Sequence, residues 1–345
     1  MSTKSRIEKK NEKHAHHKKR KKSVSIFLGA LYIFVFLLIT TPMLFFFGPY
    51  QNTRKVFLNT LLATRHAYLI TDIFSEETID KMLGNNETKE EDTSSEVQDM
   101  DKIKVEHTIG NNISRYDIKD NPRFYAYILE IENPKSVKVA MTKYLGKVGQ
   151  KTSEMAEEHD AIAAINGGTF KDKSSDGTTY AGTGGQPGGF VISDGKVVFK
   201  EDDEDKKENV VAFTKNGELI VGDHSIEDLK DLDVQEAMCF RGPTFLVNGV
   251  RQIKDKMEEG YNPRTAVGQK ADGTVIFLVI DGRKISSPGA TIYDVQEIMK
   301  SRGAINAGML DGGYSSTMYY QGEVINSPNA WNGERTVATA FYVES

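Results

Sequence analysis

Four short polar clusters in this chain carry the residue types that sugar and phosphate chemistry needs. Asn166-Gly167-Gly168 follows the apolar Ala163-Ala164-Ile165, and Asn262-Pro263-Arg264 leads into Thr265-Ala266-Val267. Asp281-Gly282-Arg283 closes the run Val275–Ile280, and Leu310 precedes Asp311-Gly312-Gly313-Tyr314-Ser315-Ser316-Thr317. Glycine beside Asn or Asp lets backbone N–H groups approach a ligand closely, because no Cβ intervenes. Arg264 and Arg283 offer planar forks that match phosphate oxygens. Asp281 and Asp311 could perform glycosidic chemistry if the fold brings them together. Taken alone, each cluster is more often a turn than a site, its Asp capping the turn. The combination is what points to chemistry.

Other chemistries are not written here. The chain has no G-x-x-x-x-G-K-[ST] loop, no H-E-x-x-H and no paired cysteines, which removes the familiar nucleotide and zinc motifs. The glycine-rich stretch 182–189 has Pro187 where a dinucleotide fingerprint needs glycine, and reads as a loop that could overlie a site. Asp172, Ser174, Asp176 and Gly177 echo the start of a calcium loop, but its last ligand position holds Thr183 in place of Glu, so a surface turn is the simpler reading. No cofactor is implied, and a loosely held divalent metal on Asp side chains stays open. Ser315 lacks a G-x-S-x-G setting and a nearby histidine, so it does not read as an acyl-transfer nucleophile. Cys239 is the sole cysteine and reads as a buried structural thiol.

The elements that must position these clusters are mostly strands. Short β-rich runs are expected at Phe124–Ile131, Val137–Met141, Ala161–Ile165, Gly189–Ser193, Lys196–Lys200, Val210–Thr214, Glu218–Val221, Phe245–Val247, Thr265–Gln269, Val275–Asp281, Ser316–Tyr320 and Val337–Val343. Asp194-Gly195, Asn216-Gly217 and Asp272-Gly273 mark hairpin turns. Helices are expected at Lys151–His159, Ser225–Leu232 and Ile292–Arg302. The fold class is therefore α+β, mixed β-sheets with flanking helices. The segment 201–208 is a solvated charged loop.

Ahead of this domain stands an anchor. Residues 1–22 hold ten Lys/Arg against Glu8 and Glu12, about +8, and residues 23–47 carry no charge. The overall −5 leaves about −13 for the remainder, which argues against binding nucleic acid or another polyanion through a broad basic surface. The run Ile26–Phe47 has the length a bilayer requires. The basic flank places the N-terminus in the cytoplasm and the rest outside. No small-residue cleavage site follows, so an uncleaved signal anchor is expected over a signal peptide. An extracytoplasmic domain without disulfides fits a Gram-positive surface. The expected organisation is a basic tail (1–22), a transmembrane signal anchor (23–47), a juxtamembrane helical segment (48–83), an acidic linker (84–102) and a globular domain (103–345).

The four clusters, in this order, resemble the phosphodiester glycosidase family, typified by the lysosomal N-acetylglucosamine-1-phosphodiester α-N-acetylglucosaminidase. The closing stretch Val324-Ile325-Asn326-Ser327-Pro328 … Gly333-Glu334-Arg335 is similar to membrane-anchored bacterial members linked to exopolysaccharide. The resemblance implies hydrolysis of a sugar-1-phosphodiester at the anomeric carbon, within a cell-envelope glycan or glycopolymer. It assigns Asp281, Asp311 and Arg264 to catalysis, one Asp as base or nucleophile and Arg264 on the phosphate with Arg283 as second candidate. Asn166, Gly167, Gly168, Arg283, Gly312, Gly313, Ser315, Ser316 and Thr317 would bind substrate. Members commonly have a small residue where this chain has Tyr314, and often Asn where it has Met309. Here Tyr314 would stack on a sugar or narrow the pocket. A non-catalytic glycopolymer-binding module and a metal-dependent phosphodiesterase are the competing classes.

Overall fold

The run Val275–Ile280, VIFLVI, is apolar at every position, and it forms a strand buried on both faces. Val275, Phe277 and Val279 pack into the main core with Val211, Phe213 and Phe341 of neighbouring sheets. Ile276, Leu278 and Ile280 point the other way, against Ile292, Val295 and Met299 of the helix Ile292–Ser301. Period-two alternation of side chains thus feeds two cores from one strand. The computed structural model describes residues 27–50, 53–54, 57–58, 68–83, 97–107, 109–110, 112–171, 183–201, 206–257, 259–284, 286–330 and 333–345. The basic tail, most of the acidic linker, the calcium-loop echo at 172–177, Gly182 and the centre of the 201–208 loop lie outside the described residues.

That strand belongs to a seven-stranded sheet ordered Ile113–Ile118, Ala126–Ile131, Val275–Ile280, Arg264–Lys270, Ala304–Leu310, Thr244–Val247, Val250–Arg251. Two five-stranded sheets pack beside it, one holding Ala163–Asn166 between Met318–Tyr320 and Thr339–Val343. Every pairing within the three is antiparallel. Helices are few and flank the sheets, as the composition of the runs implies. Asp194 and Gly195 both adopt positive φ, the geometry of a two-residue hairpin turn.

Three of the longer strands escape the sequence reading. Ile113–Ile118 is a half-exposed edge with polar residues, and Val234–Cys239 carries Glu236 inside. Ala304–Leu310 is weak in β-formers but central. Its small residues are required: a Cβ on Gly308 would lie 2.8 Å from Val211 Cγ2, so close sheet packing overrides propensity. The expected run Val337–Val343 divides at Ala338, with Thr336–Val337 pairing to Gln150–Lys151 and Thr339–Val343 entering the five-stranded sheet. Residues 97–102, linker-like in composition, dock on the domain: Gln98 Nε2 donates to Leu219 O (2.5 Å) and its Oε1 accepts from Val221 N (3.1 Å). Cys239 is buried against Phe190, and burial pushes its thiol up to about 12.

At the N-terminal end, Phe27–Phe47 forms a 21-residue apolar helix, long enough to cross a membrane by length and composition. Short helices at Tyr68–Thr71 and Glu76–Leu83 follow it.

Candidate active site

The register of the large sheet converges the clusters. Arg264 pairs with Ile280 on one side, and Thr265 pairs with Leu310 on the other. The next residues, Asp281 and Asp311, therefore leave the sheet on either side of Pro263-Arg264. Glycines let the three exits close on one another. A Cβ on Gly312 would lie 2.7 Å from Pro263 O, and one on Gly282 would lie 2.8 Å from Gly289 Cα. Gly313 N donates to the same Pro263 carbonyl (2.9 Å).

Asn166 joins the second sheet to this end. It is fully buried. Its Nδ2 donates to Asp311 O (2.6 Å), and its Oδ1 accepts from Thr265 Oγ1 (2.8 Å) and Thr317 N (3.1 Å). Three protein partners make it a brace between sheets, where the resemblance assigned it to substrate. Gly167 and Gly168 are packing glycines: Cβ atoms there would lie 2.3 Å from Thr339 Oγ1 and 2.2 Å from Cys239 O.

The two arginines divide sharply. Arg264 is 3% exposed. Its Nη1 pairs with Glu259 Oε2 (2.6 Å), and Nε and Nη2 donate to Ala290 O (3.1 Å) and Gly260 O (3.0 Å). A guanidinium so engaged holds the 259–264 turn to the strand and has little left for a phosphate. Arg283 is the opposite case. Its backbone sits at φ +58, its guanidinium lies 4.3 Å from the Tyr314 ring centroid, and Nε donates to Asn262 Oδ1 (3.3 Å). Its Nη1 is buried without a partner. Burial lowers its pKa, a tendency that Tyr314 and Asp311 oppose.

The aspartates divide in the same way. Asp281 is 3% exposed and accepts from Asn326 Nδ2 (2.9 Å) and Ser327 N (3.0 and 3.1 Å). Tyr127 also reaches it, and that phenol is pushed up to about 12, first by burial and then by the Asp281 charge. Asp281 thus anchors the 326–327 loop. Asp311 keeps accessible surface, as do Gly312, Gly313 and Tyr314. Burial of its carboxyl raises its pKa, while Ser315, Arg335, Arg283 and the Gly312 N–H favour the charged form. The next three hydroxyls, Ser315 Oγ, Ser316 Oγ and Thr317 Oγ1, are buried with no hydrogen-bond partner of ordinary geometry. An unmatched buried hydroxyl costs about 1–3 kcal/mol, so the Ser316 and Thr317 hydroxyls and the Arg283 Nη1 are polar groups whose capacity the fold leaves unused.

The sequence profile of the phosphodiester glycosidases matches residues 159–344, more than half the chain and all four clusters. The chain belongs to the phosphodiester glycosidase family. A SPbeta prophage-derived uncharacterized protein, YomE, of Bacillus subtilis is 46% identical over 66 residues, 19% of this chain and 10% of that protein. The bovine N-acetylglucosamine-1-phosphodiester alpha-N-acetylglucosaminidase is 24% identical over 213 residues, 55% of this chain and 38% of the bovine protein. The chain therefore spans well under half the length of these curated relatives. The catalytic domain of the zebrafish N-acetylglucosamine-1-phosphodiester alpha-N-acetylglucosaminidase, auto-inhibited by its pro-peptide, shares the fold: TM-score 0.53, 24% identity, covering 68% of this chain and 83% of that one.

Two residues near Asp311 and Arg283 escaped the sequence-based site. Arg335 acts electrostatically on Asp311 and lies over the Phe170 ring (4.7 Å to its centroid). Its neighbour Glu334 accepts from Ser153 N (3.1 Å) and Ser153 Oγ (2.5 Å), tying the loop to the helix Thr152–Glu158. The signal was the Gly333-Glu334-Arg335 motif, some 24 positions beyond Asp311 and invisible as a neighbour until the fold closes. Asn262, through Arg283, is the second. Among the described residues no three His, Cys, Asp or Glu side chains gather to hold a metal ion.

Proposed function

We propose that this chain is a membrane-anchored, extracytoplasmic hydrolase that cleaves a sugar-1-phosphodiester at the anomeric carbon, in a cell-envelope glycan or glycopolymer. The observation that carries the reading is the half-buried Asp311 beside Arg283, whose Nη1 is buried and unpartnered. Family membership supplies the reaction class.

The roles follow from which groups retain capacity. Phosphate is already a good leaving group, so stabilising its charge matters more than protonating it. Arg283 is the preorganised donor for that charge, with Arg335 also acting on Asp311. Asp311 serves as base or nucleophile at the anomeric carbon, where an oxocarbenium-like transition state favours a nearby carboxylate. The hydroxyls of Ser315, Ser316 and Thr317 receive sugar or phosphate oxygens. Arg264, Asp281 and Asn166 act through the backbone they hold and are positioning residues. The apolar Phe27–Phe47 helix, following a basic segment, supports a reading in which the N-terminus is cytoplasmic and the domain outside. A disulfide-free surface protein of this kind suits a Gram-positive envelope.

The test is hydrolysis of an N-acetylglucosamine-1-phosphodiester by the purified full chain in oxygen-18 water. Free sugar carrying the label, with an intact phosphomonoester, supports cleavage on the sugar side of the phosphate. Label in the phosphate with release of sugar-1-phosphate would make it a phosphodiesterase. Binding without product, across several sugars, would make it a glycopolymer-binding module.

A further inference from the structure

The apolar helix runs into a cavity of about 400 Å³. Met43, Phe46 and Phe47 form one wall, and Leu69, Ile73 and Phe74 face them. All nine lining residues are apolar, so nothing in the slot could hold a sugar, a phosphate or a polar peptide. The walls are braced. The Phe46 and Phe74 rings meet at 5.1 Å, and Leu58, Ile70, Ile79 and Met82 form a small buried core behind them. Arg54 Nη1 donates to Gly48 O (2.9 Å) and Phe45 O (3.4 Å), and its Nε donates to Met82 O (3.4 Å). One side chain thus joins the end of the long helix to the end of Glu76–Leu83.

Depth identifies the occupant. A helix of 21 residues rises about 31 Å, close to the roughly 30 Å of a bilayer's hydrocarbon layer. With that layer spanned, Met43 and Phe47 reach its outer margin, and the slot opens at the same level. Met43 and Phe47 are each 66% exposed, and Ile73 is 70% exposed. These apolar surfaces face the medium where lipid chains would be.

We propose that the slot is a lipid site that takes one acyl chain of an outer-leaflet phospholipid. The Met43–Phe47 and Leu69–Phe74 surfaces then form a collar dipped into the bilayer surface. This inference rests on the membrane-anchored reading, and the test separates the two.

The full chain, with its single tryptophan changed (Trp331→Phe), is reconstituted in phosphatidylcholine vesicles brominated either high or deep on the acyl chain. An Ile73→Trp variant reports on the slot, and a Phe36→Trp variant reports on the middle of the helix. The expected result is that Ile73→Trp fluorescence is quenched several-fold more by the shallow bromines than by the deep ones. It should also be shielded from aqueous acrylamide, with Phe36→Trp responding chiefly to the deep bromines. Quenching of Phe36→Trp alone, with Ile73→Trp open to acrylamide, would keep the anchor and overturn the lipid site. No bromolipid quenching of either would overturn both. Native mass spectrometry with added phosphatidylcholine gives the second reading. One lipid should stay on the wild type and be lost from a slot-filling Leu69→Trp/Ile73→Trp variant, and equal retention by both would refute occupancy.

Discussion

Replacing Asn166 separates a brace from a substrate ligand. In Asn166→Ala, three groups lose their partner at once: the Asp311 carbonyl, the Thr265 hydroxyl and the Thr317 N–H. The site is fully buried, so water does not readily replace them. At the low end of about 1 kcal/mol per stranded group the loss is about 3 kcal/mol, a large share of the roughly 5–15 kcal/mol of a typical domain. Urea unfolding of the purified chain, followed by circular dichroism, should show that loss as a lower midpoint with unchanged slope. Asn166→Asp sharpens the test. It keeps the acceptor for Thr265 and Thr317 but turns an oxygen toward the Asp311 carbonyl. A protonated carboxyl could donate there and an ionised one could not, so the folded-state pKa of the new Asp should be raised. Stability of this variant should then recover as pH falls, the reverse of an ordinary surface Asp. The reasoning would be refuted by Asn166→Ala retaining wild-type stability within about 0.5 kcal/mol, well inside the low-end estimate, while losing turnover.

Three further outcomes test the division of roles. Arg283→Gln should lower kcat/KM by about 10²–10³ with little change in melting temperature. Arg264→Gln should instead destabilise by about 1–3 kcal/mol, because the Ala290 and Gly260 carbonyls lose their buried donor; steady-state kinetics and melts on both variants check the contrast. Asp311→Asn should abolish turnover without lowering the melt. Its folded pKa is raised by burial, so wild-type stability falls as pH rises from the ordinary Asp value through the folded one, and the Asn variant should lose that slope. Asp294 carries the opposite sign: burial pushes it up, but Arg123 and the Thr291 cap outweigh this and lower its pKa. Its stabilisation is present above the ordinary Asp value and lost as pH falls through the lower folded one. Acid titration of Arg123→Ala by circular dichroism should show a weaker loss.

Much of this architecture is legible because its strands are apolar runs between glycine turns, and the four clusters declare themselves as strand ends. What stays hidden is which polar group is already engaged. Arg264 and Arg283 look equivalent in one dimension. Glu259, five residues before Arg264, and the Ala290 carbonyl, 26 beyond it, close on the first, whereas Arg283 is turned out by a positive φ onto Tyr314. Asp281 and Asp311 look equally alike until Asn326 and Ser327 fold back onto the first. The Ala304–Leu310 strand was missed because its fitness for the sheet lies in small side chains, a virtue only neighbouring sheets can reveal. Long-range partners decide function here, and local spacing does not encode them.

The Asn166 junction also has a kinetic meaning. Two of its side-chain bonds span separations of 99 and 145 residues, and they join two sheets that each close mainly on their own strands. Contacts of such range carry the heaviest loop-closure cost and tend to form late. Asp311 and its guanidinium partner should therefore assemble only when the sheets dock. Recovery of activity during refolding should lag the return of β-structure, and a chain stalled before docking would be folded in its parts yet inert.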